Sequence, residues 1–196
     1  MRKSTLVNHC WQALLMVATV GLSWLLMMVL HECGHVLHGG LSGAHLAHVD
    51  LPPWGFSRTD FATNPHPLFV AWGGGIWGCL LPLALLALVR ATAWRFTYLA
   101  AWFAGFCLIA NGAYLAAGSF FRGGADDAGA ILQAGGAQWQ LLLFGIPVAA
   151  AGLYLWNGLG PQFGIGPSGG KVDRTAAIGM AVALLVVVLL EIAAAL

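Results

Sequence analysis

The chain has 196 residues, of which 60% are hydrophobic and only 8% are charged, and its mean hydropathy is +0.83. Because charged residues make up about a quarter of a typical soluble domain, this composition excludes a soluble globular domain and indicates an integral membrane protein in a lipid bilayer. The formal net charge is only +1, and the charges cluster between apolar runs without forming a basic face, which excludes nucleic acid as a partner.

The first predicted element is a charge-free apolar run over residues 11–30 that continues to His38. A helix needs about 20 such residues to cross a bilayer. The preceding Arg2-Lys3 gives the N-terminus the appearance of a signal peptide, but the run is long for one and no small-residue cleavage site follows it. We therefore expect a retained first membrane helix over residues 11–38.

An HExxH motif, His31-Glu32-Cys33-Gly34-His35, lies near the end of this helix. Histidines four positions apart lie one turn apart on the same helix face, so both imidazoles can bind one zinc ion. Glu32 lies on a neighbouring face, where a carboxylate can act as general base. The motif predicts a zinc site of the metalloprotease type, with His31 and His35 as metal ligands and Glu32 as the catalytic residue.

A polar loop over residues 39–66 follows the first helix. Its prolines and glycines favour turns, irregular structure or short strands over helix. Two further apolar runs, 67–89 and 93–117, are joined by a short charged turn, which is typical of an antiparallel helical hairpin over 67–117.

An aspartate-containing segment over residues 118–138 separates this hairpin from the last two predicted membrane helices, 141–159 and 176–196. Together the runs predict a single integral membrane domain over residues 1–196. Its expected fold is all-α, a polytopic transmembrane helical bundle of about five spans.

The basic residues predict the orientation of this bundle. With five spans, one side of the membrane carries two basic residues, Arg58 and Arg122, and the opposite side carries six, namely Arg2, Lys3, Arg90, Arg95, Lys171 and Arg174. Because loops rich in Lys and Arg stay inside, we expect a cytoplasmic N-terminus. The end of the first helix and the aspartate segment then share the non-cytoplasmic side, and the site faces that side.

A zinc ion held by two histidines normally has a third protein ligand. His38 extends the row of histidines, but it lies seven residues after His31, about 10.5 Å along a helix axis. Two nitrogens bound to one zinc lie much closer together, so His38 is excluded unless the helix breaks before it.

A carboxylate from the aspartate segment is the favoured third ligand, because that segment lies on the same side as the histidines. Asp126 is preferred and Asp127 is the alternative. Both follow a Gly-Gly-Ala sequence, and either completes the two-histidine, one-carboxylate set of hydrolytic zinc sites. His45 and His48 of the polar loop remain possible ligands for the same or a second metal.

These elements together resemble the site-2 protease family of intramembrane zinc metalloproteases, in particular its short branch without a PDZ domain. The resemblance rests on HECGH at the end of a first hydrophobic helix, on the glycines Gly39-Gly40 and Gly73-Gly74-Gly75, and on a distal asparagine followed by an aspartate. It implies Zn²⁺ on His31, His35 and Asp126, Glu32 as the base, and Asn111 near the scissile carbonyl. The family's Leu-Asp-Gly motif is absent, which leaves Asp126 and Asp127 both open.

The expected function is hydrolysis of peptide bonds in or near transmembrane segments of a membrane-protein substrate. The alternative is a catalytically silent accessory subunit that keeps the protease fold and binds partner subunits of a membrane complex. An intact Glu32 favours the enzyme, because a silent subunit is free to lose its general base.

Overall fold

The computed structural model describes residues 2–92, 94–121 and 126–194, with side chains from Val7 onward. Within these ranges the elements in chain order are α1 (Arg2–Ser42), β1 (His45–Asp50), β2 (Arg58–Thr63), α2 (Pro67–Ala91), α3 (Thr97–Gly118), α4 (Asp127–Gln133), α5 (Gln138–Trp156), a 3-10 turn (Gly160–Phe163) and α6 (Arg174–Ala194). All the α-helices except α4 are long and apolar enough to cross a membrane. The predicted all-α bundle of five spans, with short strands in the loop after the first helix, is confirmed.

The first helix extends beyond both predicted ends. It begins at Arg2 and passes through Gly39-Gly40 to Ser42. Gly43 follows with a φ of 76°, a left-handed conformation that glycine adopts without strain and that commonly ends a helix. His38 therefore lies in an unbroken helix. It is too far along the helix axis from His31 to bind the same metal ion.

The other membrane helices begin and end within a few residues of the predicted bounds. Helix α2 begins at Pro67, because proline has no N–H to donate and suits the first helical position. Parts of the predictions lie outside the described residues: the start of the third span at Ala93, the end of the fifth at 195–196, and residues 122–125 of the aspartate segment, including Arg122.

Helices α1 and α2 touch backbone to backbone where they cross. A Cβ atom on Gly34 would overlap the carbonyl group of Gly73, and a Cβ atom on Gly73 would overlap that of Gly34. Small residues at membrane helix crossings permit this kind of close approach. The crossing brings the backbone of α2 directly against the HExxH motif.

Helices α3 and α5 pack through two glycine pairs, and the two pairs lie two helical turns apart. Gly105 faces Gly152, and Gly112 faces Gly145; an added Cβ at any of the four would lie within 3.0 Å of backbone atoms of the opposite helix. Close packing of α3 against α5 fixes the helix that carries Asn111.

Helix α6 packs against α1, with Leu184 covering Gly21. At the start of α6, Arg174 lies over the ring of Trp11, and Asp173 pairs with Arg95 at 3.2 Å. These contacts gather the beginnings of α1, α3 and α6 at one end of the bundle. The HExxH motif and the strands lie toward the other end.

The two strands form an antiparallel hairpin that lies along the second half of α1. The ring of Phe61 lies where a Cβ of Gly39 would be, and the ring of Phe56, in the connection between the strands, lies 5.5 Å from that of Trp24. The hairpin therefore points back along α1 toward the middle of that helix and covers the motif from one side.

Candidate metal centre

Three side chains from two helices converge beside this hairpin. The Nε2 atoms of His31 and His35 are 3.1 Å apart, and the carboxylate of Asp127 lies 2.7 Å from the first and 3.3 Å from the second. His31 and His35 are one turn apart on α1, as the motif predicted, and Asp127 is the first residue of α4. Among the described residues these three form a group that could hold a metal ion.

Hydrogen bonds on the far side of each imidazole fix its tautomer. His31 donates from Nδ1 to Oδ1 of Asn111 at 2.6 Å, and His35 donates from Nδ1 to the carbonyl oxygen of Val70 at 2.8 Å. Asn111 is itself oriented, because its Nδ2 donates to the carbonyl oxygen of Cys107. With a proton at Nδ1 of each ring, an imidazole in its neutral form directs the lone pair of Nε2 inward.

The result is two nitrogen lone pairs and a carboxylate that face one point. Three acceptors in contact repel one another unless protons or a metal cation lie between them. Ligand atoms on a tetrahedral zinc ion with bonds of 2.0–2.1 Å are about 3.3 Å apart. The distances from His35 to His31 and to Asp127, 3.1 and 3.3 Å, are close to this value, whereas the 2.7 Å between His31 and Asp127 is shorter. The donor set and its spacing therefore fit zinc, and the Nδ1 hydrogen bonds supply the outer partners that orient metal-bound histidines.

Gly74 of α2 leaves the space between the imidazoles open. A Cβ atom at this position would overlap the Nε2 atoms of both His31 and His35. Only glycine keeps α2 this close to the two rings without filling the point that they face.

The carboxylate beside the two imidazoles belongs to Asp127, the residue after the favoured Asp126. Asp126 is the N-cap of α4, and its Oδ1 accepts a hydrogen bond from the N–H of Gly129 at 2.8 Å. Asp127 begins the helix and points in a different direction, toward the histidines. The structure therefore assigns the cap to Asp126 and the place beside the imidazoles to Asp127, the alternative.

The Asp127 carboxyl has a strongly perturbed pKa. Burial by itself would raise this pKa, but when His31 and His35 carry protons at Nε2, their hydrogen bonds and charges outweigh burial and hold the pKa below its ordinary value. The group is ionised at neutral pH, as a metal ligand must be.

Asn111 contacts the site through His31. Its carbonyl oxygen and its amide nitrogen both bond to protein groups, His31 and the backbone of Cys107. It therefore orients the imidazole of His31, and its place near the scissile carbonyl stays a prediction.

The remaining candidate ligands lie elsewhere. His38 donates from Nδ1 to the carbonyl oxygen of Phe69 and stacks on the ring of that residue. His48 pairs with Asp60 at 3.1 Å on the exposed hairpin, and His45 is exposed at the start of β1.

Glu32 is buried beside the ligands, with 4% of its surface exposed. It shares with them a cavity of about 640 Å³. One side of this cavity is apolar and includes Trp24, Met27 and Met28 of α1 and Phe56 of the hairpin. The cavity thus combines a polar end with an apolar wall inside the predicted membrane span.

Three hydroxyl groups at this cavity were not predicted from the sequence. Ser57 and Thr59 donate to Glu32, and the hydroxyl of Tyr114 accepts from the N–H of Asp127 at 3.4 Å. Tyr114 follows Asn111 by about one helical turn, a spacing that gives a signal in the sequence. No local pattern marks the two hairpin residues.

Comparison with known proteins gives no match to a family model, to a curated protein or to a solved structure.

Proposed function

We propose that this chain is a membrane-embedded zinc metalloprotease that hydrolyses peptide bonds in or near transmembrane segments, as its resemblance to site-2 proteases implies. The observation that carries the proposal is the inward convergence of His31, His35 and Asp127 beside the buried Glu32. Two histidines and one carboxylate are the protein ligands of several hydrolytic zinc sites, which leave one position for water or substrate.

Zinc bound to these ligands would polarise the scissile carbonyl group and activate a water molecule at neutral pH. Glu32 would accept a proton from the attacking water as its oxygen bonds to the carbonyl carbon. The same carboxyl would then return the proton to the departing nitrogen as the C–N bond breaks. The products are a carboxylate and an amine, and Glu32 is regenerated.

The apolar wall of the cavity supports a membrane-protein substrate, because it offers contacts to aliphatic side chains. A substrate helix would have to unwind locally before a carbonyl group could enter, since its backbone groups are otherwise bonded within the helix. A cavity of about 640 Å³ is large enough for a short extended segment, not for an intact helix.

Metal content and proteolysis of one set of preparations test the proposal. The detergent-purified wild type should contain one zinc per chain and cleave fluorescein-labelled casein or a single-span peptide. Glu32→Gln should retain zinc and lose cleavage by about 100-fold or more, because Glu32 handles protons without holding the metal. His35→Ala should lose both.

Each other outcome has a distinct meaning. Stoichiometric zinc without cleavage of either probe would support the silent accessory subunit. Cleavage by Glu32→Gln near the wild-type rate would refute general-base catalysis by this motif. A wild type that binds no metal would remove the basis for both functions.

A further inference from the structure

Glu32 is anchored by the hairpin at both carboxylate oxygens. Ser57 donates from Oγ to Oε1 at 2.6 Å, and Thr59 donates from Oγ1 to Oε2, also at 2.6 Å. Among the described residues, no other side chain hydrogen-bonds to this carboxylate. The orientation of the proposed base is therefore set by the hairpin that follows α1 in the chain and folds back along it.

The two hydroxyls are held in place by contacts on either side of them. Phe56, immediately before Ser57, packs its ring edge against Trp24, and Phe61, two residues after Thr59, packs against Gly39. Thr59 also pairs with Val49 across the hairpin. The hairpin thus packs against α1 at one position before the HExxH motif and at one position after it. These two contacts can hold the hydroxyls at a constant distance from Glu32.

The hydrogen bonds to Glu32 leave the cavity open. Ser57, Thr59 and Glu32 line the same cavity as the three candidate ligands, so the hairpin forms one wall and does not fill the space. A carboxylate oxygen has two lone pairs. Each oxygen of Glu32 can therefore accept a hydrogen bond from one hydroxyl and still take a proton from water.

We infer that Ser57 and Thr59 are positioning residues for the general base, and that the hairpin is thereby part of the catalytic machinery. This inference rests on the proposed proteolytic function. A carboxylate bonded at both oxygens loses its rotation about the terminal torsion, so it stays aimed at the site. Loss of either hydroxyl should reduce kcat by about 10–100-fold, the range typical of partners that orient active groups around a metal, and should change KM little.

Conservative variants test this without disturbing the fold. Thr59→Val keeps the shape of the side chain and removes the hydroxyl, whereas Thr59→Ser keeps the hydroxyl and should restore most of kcat. Ser57→Ala should resemble Thr59→Val. Thr63→Val is the matched control, because Thr63 is an exposed residue of the same strand, opposite His45.

Casein cleavage gives kcat and KM, while zinc content and the visible spectrum of the Co²⁺-substituted protein report on the ligands. We expect a lower kcat for Thr59→Val and Ser57→Ala with an unchanged Co²⁺ spectrum. Equal kcat in all variants would overturn the positioning role of the two hydroxyls. A higher kcat in Thr59→Val or Ser57→Ala would also overturn it, because the hairpin would then inhibit the protease. Zinc-loaded but inactive wild type would remove the proposed function, and the inference with it.

Discussion

Asp126 and Asp127 are adjacent, yet they contact different parts of the protein. Asp127 lies against both imidazoles, and Asp126 caps α4 through the N–H of Gly129. The difference follows from the start of the helix between them, since the cap residue and the first helical residue point in different directions.

Single alanine variants should separate these two roles. Asp127→Ala should weaken zinc binding by more than the roughly 10–100-fold expected for an outer partner, because it removes a charged ligand. Asp126→Ala should keep zinc and lower the free energy of unfolding by about 1 kcal/mol through loss of the cap. Zinc titration and thermal unfolding of both variants measure this, and the reverse order of zinc affinities would transfer the ligand to Asp126.

Gly74 gives a second test at the residue level. Gly74→Ala should abolish metal binding while the protein stays folded, because the added methyl group would occupy the point that His31 and His35 face. Gly75→Ala is the control, since its methyl group would meet only the movable end of the Leu115 side chain at short range. The zinc content of the two purified variants tests this prediction. Equal zinc in both would show that α2 does not form a wall of the metal site.

The residues of the site differ in how far the sequence predicts them. His31, His35 and Glu32 were predicted because the spacing of HExxH and the helical period determine their geometry locally. The choice between Asp126 and Asp127 depends on the residue at which a seven-residue helix begins, which hydropathy does not mark. Ser57 and Thr59 reach Glu32 only because the hairpin packs against α1, and this is a tertiary contact that local sequence does not predict.

At the scale of elements, the five spans were predictable because a bilayer-length apolar run has few alternatives to helix. The loop after α1 was predicted as turns or short strands, and it forms a hairpin. Its path along α1 was not predictable, because it depends on rings that fill gaps at particular helix positions, such as Phe61 at Gly39.

The packing of α3 on α5 gives a stability prediction at this scale. Gly145→Ala should destabilise the protein by about 1–3 kcal/mol, because the added methyl group would overlap the backbone of α3 at Gly112. Gly179→Ala in α6 has nothing within 4 Å of the new methyl group and should gain up to about 1 kcal/mol from helix propensity. Thermal unfolding in detergent should give shifts of opposite sign; shifts of the same sign would show that this glycine pair does not limit the approach of the helices.

The whole molecule has two chemically different ends. Arg95, Asp173 and Arg174 lie together at one end, with the start of α1, whereas the exposed strands and the site lie toward the other. We propose that the first end is cytoplasmic, following the bias of basic residues.

Cysteine labelling of intact cells tests this orientation. After replacement of the exposed native thiols Cys10 and Cys33 by serine, Asp50→Cys in β1 should react with an impermeant thiol reagent added outside. Thr92→Cys, in the turn after α2, should react only after lysis. Labelling with the opposite pattern would invert the assigned topology.

The separation of the ligands along the chain has a further consequence for the protein as a whole. His31 and Asp127 are 96 positions apart, and the hairpin, α2 and α3 lie between them in the sequence. An ion that binds both would act as a cross-link that closes a long loop of the chain, and such links remove conformational freedom from the unfolded state. Metal binding would then raise the free energy of unfolding as well as supply chemistry, so that protein stripped of metal should unfold at a lower temperature than metal-loaded protein.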